Sequence, residues 1–447
     1  MNKTERKSAT SLALLMAFRM LGLFMILPIF TLYAHTLIGA TPQLIGLALG
    51  IYGLTQACLQ IPFGMLSDKF GRKPIIFIGL VLFALGSVIA ALSHSIHGVI
   101  LGRALQGGGA IGAVIIALLA DSTRDEDRTK AMAVLGMTIG FAFAIAVVLG
   151  PILNTIVGVR GIFWLTAILA LIGIILLFCV VPTPTKTVFH RDAEPVPALF
   201  KNILSNTQLL RLDLGIFIQH GILTASFIVI PVALQHAAGV KESHQWILYL
   251  PVLLIAYCVM VPFIIIAEKK RKMKAVFIGS ILVITISEAL LWRWHASITM
   301  FVIALLLFFT AFTILEASLP SLVSKIAPAG SKGTAMGIYS TAQFLGIFIG
   351  GVVGGTIYAH NGITGVFTLC AAAGLLWLII AVSMKNPPHL ATKMFSLQNF
   401  KQQDVKTLTT VLKTITGVYE VLISQEEQTV YLKVDSQTFK ADALKEY

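Results

Sequence analysis

The chain has 447 residues, of which 57% are hydrophobic and 12% are charged. Soluble globular domains contain about half apolar and about a quarter charged residues, so this composition excludes an ordinary soluble protein and indicates a chain that lies mostly in a lipid bilayer. The net charge of +13 would suit a nucleic-acid-binding protein, but the basic residues are distributed as in a membrane protein, and we expect no nucleic-acid partner. The four cysteines form no CxxC pair, so we expect no disulfide bonds and no metal site.

Twelve apolar segments are long enough to span a bilayer, which takes about 20 residues. They lie near residues 10–33, 43–66, 75–93, 98–120, 130–154, 161–181, 209–235, 245–267, 275–293, 297–320, 334–358 and 362–384. The first is longer than the apolar core of a signal peptide and is expected to stay in the protein. A polar segment with several prolines, residues 182–208, predicts a linker between two six-helix halves, residues 1–181 and 209–384.

The basic residues predict the orientation of these spans. If the amino terminus is cytoplasmic, the loops and tail segments on that side up to the last span hold 20 Lys and Arg residues, and the opposite side holds three. Cytoplasmic loops carry the excess of positive charge. We therefore expect both termini and the linker to be cytoplasmic.

Two segments of the chain repeat at an offset of 200 residues. The sequence IPF at residues 61–63 returns as VPF at 261–263, and Asp68 returns as Glu268. Such echoes are typical of a duplicated half, and paired repeats are how many secondary transporters are built, with the substrate site near the bilayer midplane.

Residues 64–74, GMLSDKFGRKP, connect the second and third spans and are the sharpest motif in the chain. Gly64 and Gly71 permit a tight turn and close helix approach, and Asp68 lies among basic residues that include Arg72. This segment is similar, nearly residue for residue, to the signature loop of the major facilitator superfamily. The resemblance implies a transporter whose two halves are locked on the cytoplasmic side, in the outward-facing state, by the Asp and the Arg of this loop.

The resemblance also implies partners for the two charged residues. Asp68 is expected to accept hydrogen bonds at the start of the eleventh span, near residues 331–334, where free N–H groups suit a carboxylate. Arg72 is expected to pair with Asp121. The second-half copy keeps Glu268 without the glycines and should form a weaker lock. The residues assigned to this conformational switch are Gly64, Asp68, Gly71, Arg72, Asp121 and Gly333.

Several polar residues lie inside predicted spans, where charged side chains are costly and mark function by default. Arg103 and Gln106 resemble the RxxQG motif that the family associates with proton transfer; a structural arginine remains an alternative. Glu316 is a candidate proton carrier because desolvation favours the neutral form of a carboxyl group, with Arg19 or Arg103 as conceivable partners, and a permanent ion pair is equally open. For His220 taken alone, a satisfied hydrogen-bonding role is favoured over a role in the pathway. The expected proton or substrate pathway comprises Arg19, Gln56, Gln60, Arg103, Gln106, His220 and Glu316.

Small residues mark helix faces that pack closely. Gly150 and Pro151 in the fifth span look like the family's antiporter motif GxxxGP, but its first glycine is replaced by Ala146, which weakens the inference of drug antiport. Gly350 and Gly354 belong to a glycine-rich face of the eleventh span. We assign Gly150, Pro151, Gly350 and Gly354 to helix packing.

The tail after the last span, residues 390–447, has the composition of a soluble domain. Residues 393–397, 419–423 and 429–434 are typical of strands, and residues 402–416 have helical spacing. A short helix is expected from Thr438. This order predicts a small ferredoxin-like α+β domain; it resembles heavy-metal-associated domains, but without a CxxC pair we expect no metal capture.

The sequence thus predicts an all-α membrane protein of twelve transmembrane helices in two six-helix halves, with a small α+β ferredoxin-like C-terminal domain. We expect no enzyme and no cofactor beyond a proton as coupling ion. The favoured function is proton-coupled efflux of a small organic molecule by alternating access, from a monomer in a bacterial inner membrane. Nutrient uptake and a membrane sensor signalling through its tail to a cytoplasmic partner remain alternatives.

Overall fold

The computed structural model describes residues 1–182, 193–388, 390–400, 404–425, 427–435, 437–439 and 444. Within them, ten helical segments are long and apolar enough to cross a membrane. The α-helices are α1 Lys3–Phe24, α2 Phe30–Ala34, α3 Pro42–Phe70, α4 Arg72–Leu92, α5 Ile96–Gly108, α6 Gly112–Asp121, α7 Asp125–Cys179, α8 Phe200–Leu204, α9 Thr207–Val232, α10 Gln245–Lys269, α11 Met273–Trp294, α12 Ile298–Ile326, α13 Lys332–Val382 and α14 Val405–Thr414. We refer to α1–α7 as the first half and to α9–α13 as the second half.

Helix α7 is long enough for two spans and changes direction at Gly158, whose backbone is not helical (φ 67°, ψ 173°). A β-carbon on Gly150 would meet the carbonyl of Met25, the residue directly after α1, and one on Gly22 of α1 would meet the side chain of Thr166. Gly150 and Thr166 would be about 24 Å apart in a straight helix, yet the residues that they contact, Met25 and Gly22, are only three positions apart. The chain therefore reverses between them.

Helix α13 reverses in the same way at Gly362 (φ 63°, ψ −162°). Gly354 approaches Ala225 of α9, and the thiol of Cys370 lies 3.4 Å from the hydroxyl of Ser226. Two positions sixteen residues apart in α13 thus contact neighbouring residues of α9. This is why ten helical segments are observed where twelve spans are predicted; the count of twelve stays a prediction.

Two predicted spans are interrupted. Residues 25–29 form turns between α1 and α2, and they include Pro28, which lacks a backbone N–H. Residues 109–111 interrupt the predicted span 98–120 and divide it into α5 and α6. The interruption begins at Gly109, the last residue of the sequence GGG at 107–109. Glycine loses the most conformational freedom in a helix, so this run is a weak point, and the prediction of one continuous helix here is wrong.

Glycines bring the two halves into close contact along α3 and α13. A β-carbon on Gly50 would lie 2.7 Å from the carbonyl of Phe348, and Gly46 similarly approaches Gly351. Within the second half, Gly350 lies against the backbone of Gly221 in α9. Close backbone approach through small residues is the usual basis of helix association in membranes, as expected for Gly350 and Gly354.

The described part of the linker is partly ordered as helix. It forms a 3-10 turn at Pro197–Leu199 and then α8, before Asn206 caps the start of α9. The linker meets the bundle at the same end as the α3–α4 turn, the end of α6 and the start of α13. We call this the linker end of the bundle.

The tail forms a three-stranded antiparallel sheet of β1 Leu390–Ser396, β2 Val418–Ser424 and β3 Thr429–Asp435, in the order β1-β3-β2. Leu408 and Leu412 of α14 are buried with Val430 and Leu432 of β3, because alternate residues of a strand face one side. The predicted order of strand, helix, strand, strand is confirmed, and β1 begins three residues earlier than predicted. The helix expected from Thr438 falls mostly outside the described residues.

The tail domain docks onto the linker end of the bundle and contacts both halves. β1 of the domain reaches α7 of the first half, where the Nη1 atom of Arg128 lies 3.5 Å from the sulfur of Met394. Other contacts reach the second half: Arg271 to Asp435 at 2.8 Å, Lys433 to the carbonyl of Lys325 at 2.6 Å, and the N–H of Ala329 to Glu420 at 3.0 Å.

Candidate transport site and conformational switch

The guanidinium of Arg72, at the start of α4, gathers three carboxyl groups at the linker end. Its Nε donates to Asp121 at 3.0 Å, its Nη2 donates to Glu194 at 2.5 Å, and its Nη1 donates to Ser67 at 2.7 Å and to Asp68. The pair with Asp121 matches the expectation from the signature loop. Glu194, which belongs to the linker, was not anticipated from the sequence.

Burial makes these contacts unequal. The side chains of Arg72, Asp121 and Glu194 are at most 4% exposed, whereas that of Asp68 is 38% exposed. Desolvation raises the pKa of Glu194 to about 8; Arg72 opposes this shift, and a hydrogen bond with Asp68 adds to it. The raised pKa favours the protonated form of Glu194, so that the buried cation of Arg72 is shared by Asp68, Asp121 and an acid whose neutral form is favoured.

The linker connects this cluster to the second half. The N–H of Val196 donates to the hydroxyl of Thr334, at the start of α13, over 2.8 Å. Pro195 lies next to Gly337, one turn further along α13. Among the described residues no hydrogen bond joins Asp68 to residues 331–334, so the expected direct contact at Gly333 is replaced in this conformation by a contact through the linker.

Gly71 allows the sharp turn between α3 and α4. Its φ of 91° lies in a region that side chains with a β-carbon rarely adopt. Gly64, about two helical turns earlier in α3, faces Ala113 of α6. A β-carbon on Gly64 would make only an ordinary contact of 3.8 Å with Ala113, so this conformation requires a glycine for the turn at Gly71 and not at Gly64.

Two arginines are buried in the first half, and their hydrogen-bond partners among the described residues are all neutral. Arg19 donates from Nη2 to the hydroxyl of Tyr52 at 2.8 Å and to the amide oxygen of Gln56. Arg103 donates to Gln106 at 3.0 Å and to the backbone carbonyl of Ala48 at 3.4 Å. Both guanidinium groups also lie within 6 Å of the ring of Tyr52, at 5.9 and 5.1 Å, where an aromatic ring attracts a cation.

The second half contains Glu316, the candidate proton carrier. Glu316, in α12, accepts a hydrogen bond from Gln219 at 3.1 Å and lies 3.8 Å from the Nε2 atom of His220, which in turn lies 2.9 Å from the amide nitrogen of Gln343. Glu316 is 35% exposed although it lies well inside a spanning helix, whereas His220 is 2% exposed. The carboxyl group of Glu316 is therefore not fully covered by its protein neighbours.

The observed partners differ from those considered for Glu316. Neither Arg19 nor Arg103 forms an ion pair with it among the described residues; each half has its own polar cluster.

The sequence analysis missed Gln219 and Gln343, although Gln219 adjoins His220 and shows that this turn of α9 is polar. Gln60, also expected in the pathway, donates to Thr341 of α13 at 2.8 Å and so links the two halves near the same depth.

Further contacts close the opposite end of the bundle. The amide of Asn154 in α7 donates to Glu242, just before α10, at 2.5 Å. Deeper in the bundle, the hydroxyl of Tyr257 in α10 donates to the carbonyl of Gly140 in α7 at 2.6 Å. Together with the glycines of α3 and α13, these contacts bring the halves together away from the linker end.

A family model described as Major Facilitator Superfamily matches residues 12–351 and, in a second match, residues 274–415. The chain therefore belongs to the major facilitator superfamily, a family of transporters and not of enzymes. It is 47% identical over 437 residues to the inner membrane transport protein YajR of Escherichia coli K12, covering 98% of this chain and 96% of that protein.

The chain is also similar, at lower sequence identity, to a multidrug resistance protein and to a solved transporter structure. The multidrug resistance protein MdtH of Aeromonas hydrophila is 26% identical over 349 residues, which are 76% of this chain and 85% of the relative. The crystal structure of the human organic anion transporter MFSD10 superposes with a TM-score of 0.62 at 18% identity, covering 85% of this chain and all of that chain. The second likeness shows the fold.

Proposed function

We propose that the chain is a secondary active transporter that exports a small organic molecule in exchange for protons, by alternating access, across a bacterial inner membrane. The observation that carries this proposal is the environment of Glu316. Its carboxyl group lies well inside a spanning helix and is paired with no Lys or Arg among the described residues, and its partners, Gln219 and His220, are groups that can stay neutral. Such a carboxyl group can bind and release a proton without breaking an ion pair.

The proposed topology has twelve spans in two six-helix halves, with both termini and the linker cytoplasmic. The chain reversals at Gly158 and Gly362 support twelve spans, since each divides a helix of 50 or 51 residues into two pieces of spanning length. The excess of basic residues at the linker end supports the orientation. The relative YajR is named an inner membrane transport protein, which supports the location of this chain in the inner membrane.

Efflux is favoured by the likeness to a multidrug resistance protein. Uptake by symport remains the second candidate, because Ala146 stands where the family's antiporter motif has glycine, and Ala146 is fully buried. The two candidates differ in the direction in which protons and substrate move, which a vesicle experiment measures directly.

In this proposal the linker end is the cytoplasmic gate. The cluster around Arg72 belongs to the first half, and Thr334 belongs to the second. Linker residues 194–196 contact both. Opening the gate must break the Val196–Thr334 hydrogen bond or separate Glu194 from Arg72, so the gate responds to changes in either contact.

The test uses purified protein in liposomes with an acidic lumen and a panel of fluorescent organic cations, beginning with ethidium. Antiport predicts accumulation of the compound in the acidic lumen, whereas symport predicts its exit. Glu316→Gln should abolish the movement driven by the proton gradient while compound exchange between equal concentrations continues, because the amide keeps the shape of the group but cannot release a proton.

The matched control is Glu268→Gln, which removes an exposed acid that pairs with Lys325 at 2.6 Å and should leave coupling unchanged. Gradient-driven movement that persists in Glu316→Gln would remove this residue from the mechanism. If the wild type moves no compound of the panel under either gradient, the efflux proposal fails for that class of substrate.

A further inference from the structure

The first half contains two buried positive charges without a counter-charge. Arg19 is 2% exposed and Arg103 is 1% exposed. Neither forms an ion pair with a carboxylate of the described residues, and all of their hydrogen-bond partners are neutral. A guanidinium group does not give up its proton in a protein, and an uncompensated buried charge is strongly destabilising. An anion from outside the chain would resolve this.

The break between α5 and α6 creates a place for such an anion. Helix α6 has 10 residues, and Ile111, which precedes it, provides no capping side chain. The first N–H groups of a helix have no partner within it and carry partial positive charge. Here they lie in the middle of the bundle, where water competes less with an anion than at an exposed helix end.

The side chain of Arg19 lies beside this helix start. Its Nη1 atom lies 3.6 Å from the position that a β-carbon on Gly112, the first residue of α6, would take. Only the Nη2 atom of Arg19 is used in hydrogen bonds among the described residues, and the buried Nε atom has no partner. The side chain thus has unused donors beside unused backbone N–H groups.

The site also has access. Gly112 and Ala113 are partly exposed, although the residues on either side of them, Ile111 and Val114, are fully buried. Ala113 faces Gly64 of α3, one of the helices that contacts the second half. The start of α6 is therefore reached from the interior between the helices and not only through the protein core.

We propose that Arg19 and the first N–H groups of α6 bind a small monovalent anion, either a free ion of halide or acetate size or the carboxylate group of an organic acid. Arg19 supplies charge and directed N–H donors, and the helix start supplies backbone N–H groups, the combination that binds anions in proteins. Arg103, whose guanidinium group lies 5.1 Å from the centre of the same Tyr52 ring, adds positive potential. The site lies in the first half and does not depend on proton coupling at Glu316.

The experiment measures the thermal unfolding midpoint of the full chain in lipid nanodiscs. Sodium chloride, acetate or benzoate is titrated against the sodium salt of HEPES, a bulky sulfonate, at constant ionic strength and pH. A ligand that binds only the folded protein raises the midpoint in a saturable manner. A rise with chloride and acetate indicates a free small ion, whereas a rise with benzoate alone indicates the carboxylate of a larger organic acid.

Gln56→Glu provides the sharpest variant, because the Gln56 side chain already contacts Arg19. The new carboxylate should replace the anion, so that the midpoint in HEPES rises and the response to added anions weakens by at least about tenfold in apparent affinity. Arg19→Gln should lose the response as well. Arg6→Gln, which removes an exposed cation of α1, is the matched control and should respond as the wild type does.

Two results would overturn the site. One is a wild-type midpoint that none of the three anions changes. The other is an anion response in Gln56→Glu equal to that of the wild type, which would place the responding cations elsewhere. Both results are obtained even if Arg19→Gln does not fold.

Discussion

The protonation of Glu194 predicts how the linker end responds to pH. In the folded protein the pKa of Glu194 is raised to about 8 by burial, above its ordinary value of 4.5. The folded state therefore binds one more proton than the unfolded state between these values, and its stabilisation is greatest at low pH and is lost as the pH rises toward about 8. Ionised Glu194 would lie beside Asp68 and Asp121, with Arg72 as the one shared cation.

The magnitude follows from proton linkage. One proton of difference corresponds to about 1.4 kcal/mol per pH unit, so a rise from about pH 6 to about pH 8 should destabilise this cluster by roughly 2 kcal/mol. Glu194→Gln keeps an acceptor for Arg72 and a donor for Asp68 but does not titrate. The variant should match the wild type near pH 6 and be more stable than it near pH 8.

The assay compares thermal unfolding midpoints of wild type and Glu194→Gln across this pH range, together with labelling of a cysteine placed at Val196 that reports release of the linker. Glu268→Gln, an exposed acid of the second half, serves as the control. Because other acids of the bundle titrate in both proteins, only the difference between the two pH profiles is informative. Parallel profiles would refute the assignment of a proton to Glu194.

Three further predictions concern other contacts. Arg72→Ala should destabilise the closed linker end by about 3–5 kcal/mol, whereas Asp68→Asn, at a half-exposed pair, should cost at most about 1 kcal/mol. Cross-linking of cysteines placed in α3 and α13 measures both effects, and equal effects would contradict the argument that the buried contacts of Arg72 contribute more than its half-exposed contact with Asp68. Deleting the tail from Ala391 should leave a folded, monodisperse transporter with a modestly lower midpoint, and aggregation of the truncated protein in detergent would count against it. Gly350→Val should lower the free energy of unfolding by about 1–3 kcal/mol, and with it the thermal unfolding midpoint, because the valine side chain would meet the backbone of Gly221; an unchanged midpoint would show that the two helices can separate freely.

The sequence predicted those features that depend on local pattern. The boundaries between spans 130–154 and 161–181, and between 334–358 and 362–384, flank or adjoin Gly158 and Gly362, where the structure reverses. The tail strands follow from alternation of apolar and polar residues. The Arg72–Asp121 contact came from the resemblance of the signature loop and could not be derived from residues 49 positions apart.

The features that were missed depend on tertiary contacts. Glu194 lies in a polar, proline-containing linker, where an acid normally faces solvent, and only the folded chain places it against Arg72. The partners of Glu316 come from α9, almost 100 residues away in the chain. The break before α6 did have a local signal in residues 107–109, but average hydropathy over a span is insensitive to glycine.

The two halves contain different kinds of buried charge, and chemistry limits how each can be neutralised. A carboxyl group such as Glu316 can take up a proton, so the second half can hold an acid in the bundle and change its charge during a cycle. A guanidinium group is the cation that proteins neutralise with a counter-ion and not by loss of a proton, so the first half needs a counter-ion instead. The neutral partners Tyr52 and Gln56 solvate the cation without balancing it. Proton binding in one half and anion binding in the other are thus separate consequences of the cost of a buried charge that has no counter-charge. Glu316→Gln and Gln56→Glu test the two independently, since each changes one cluster and leaves the hydrogen bonds of the other intact.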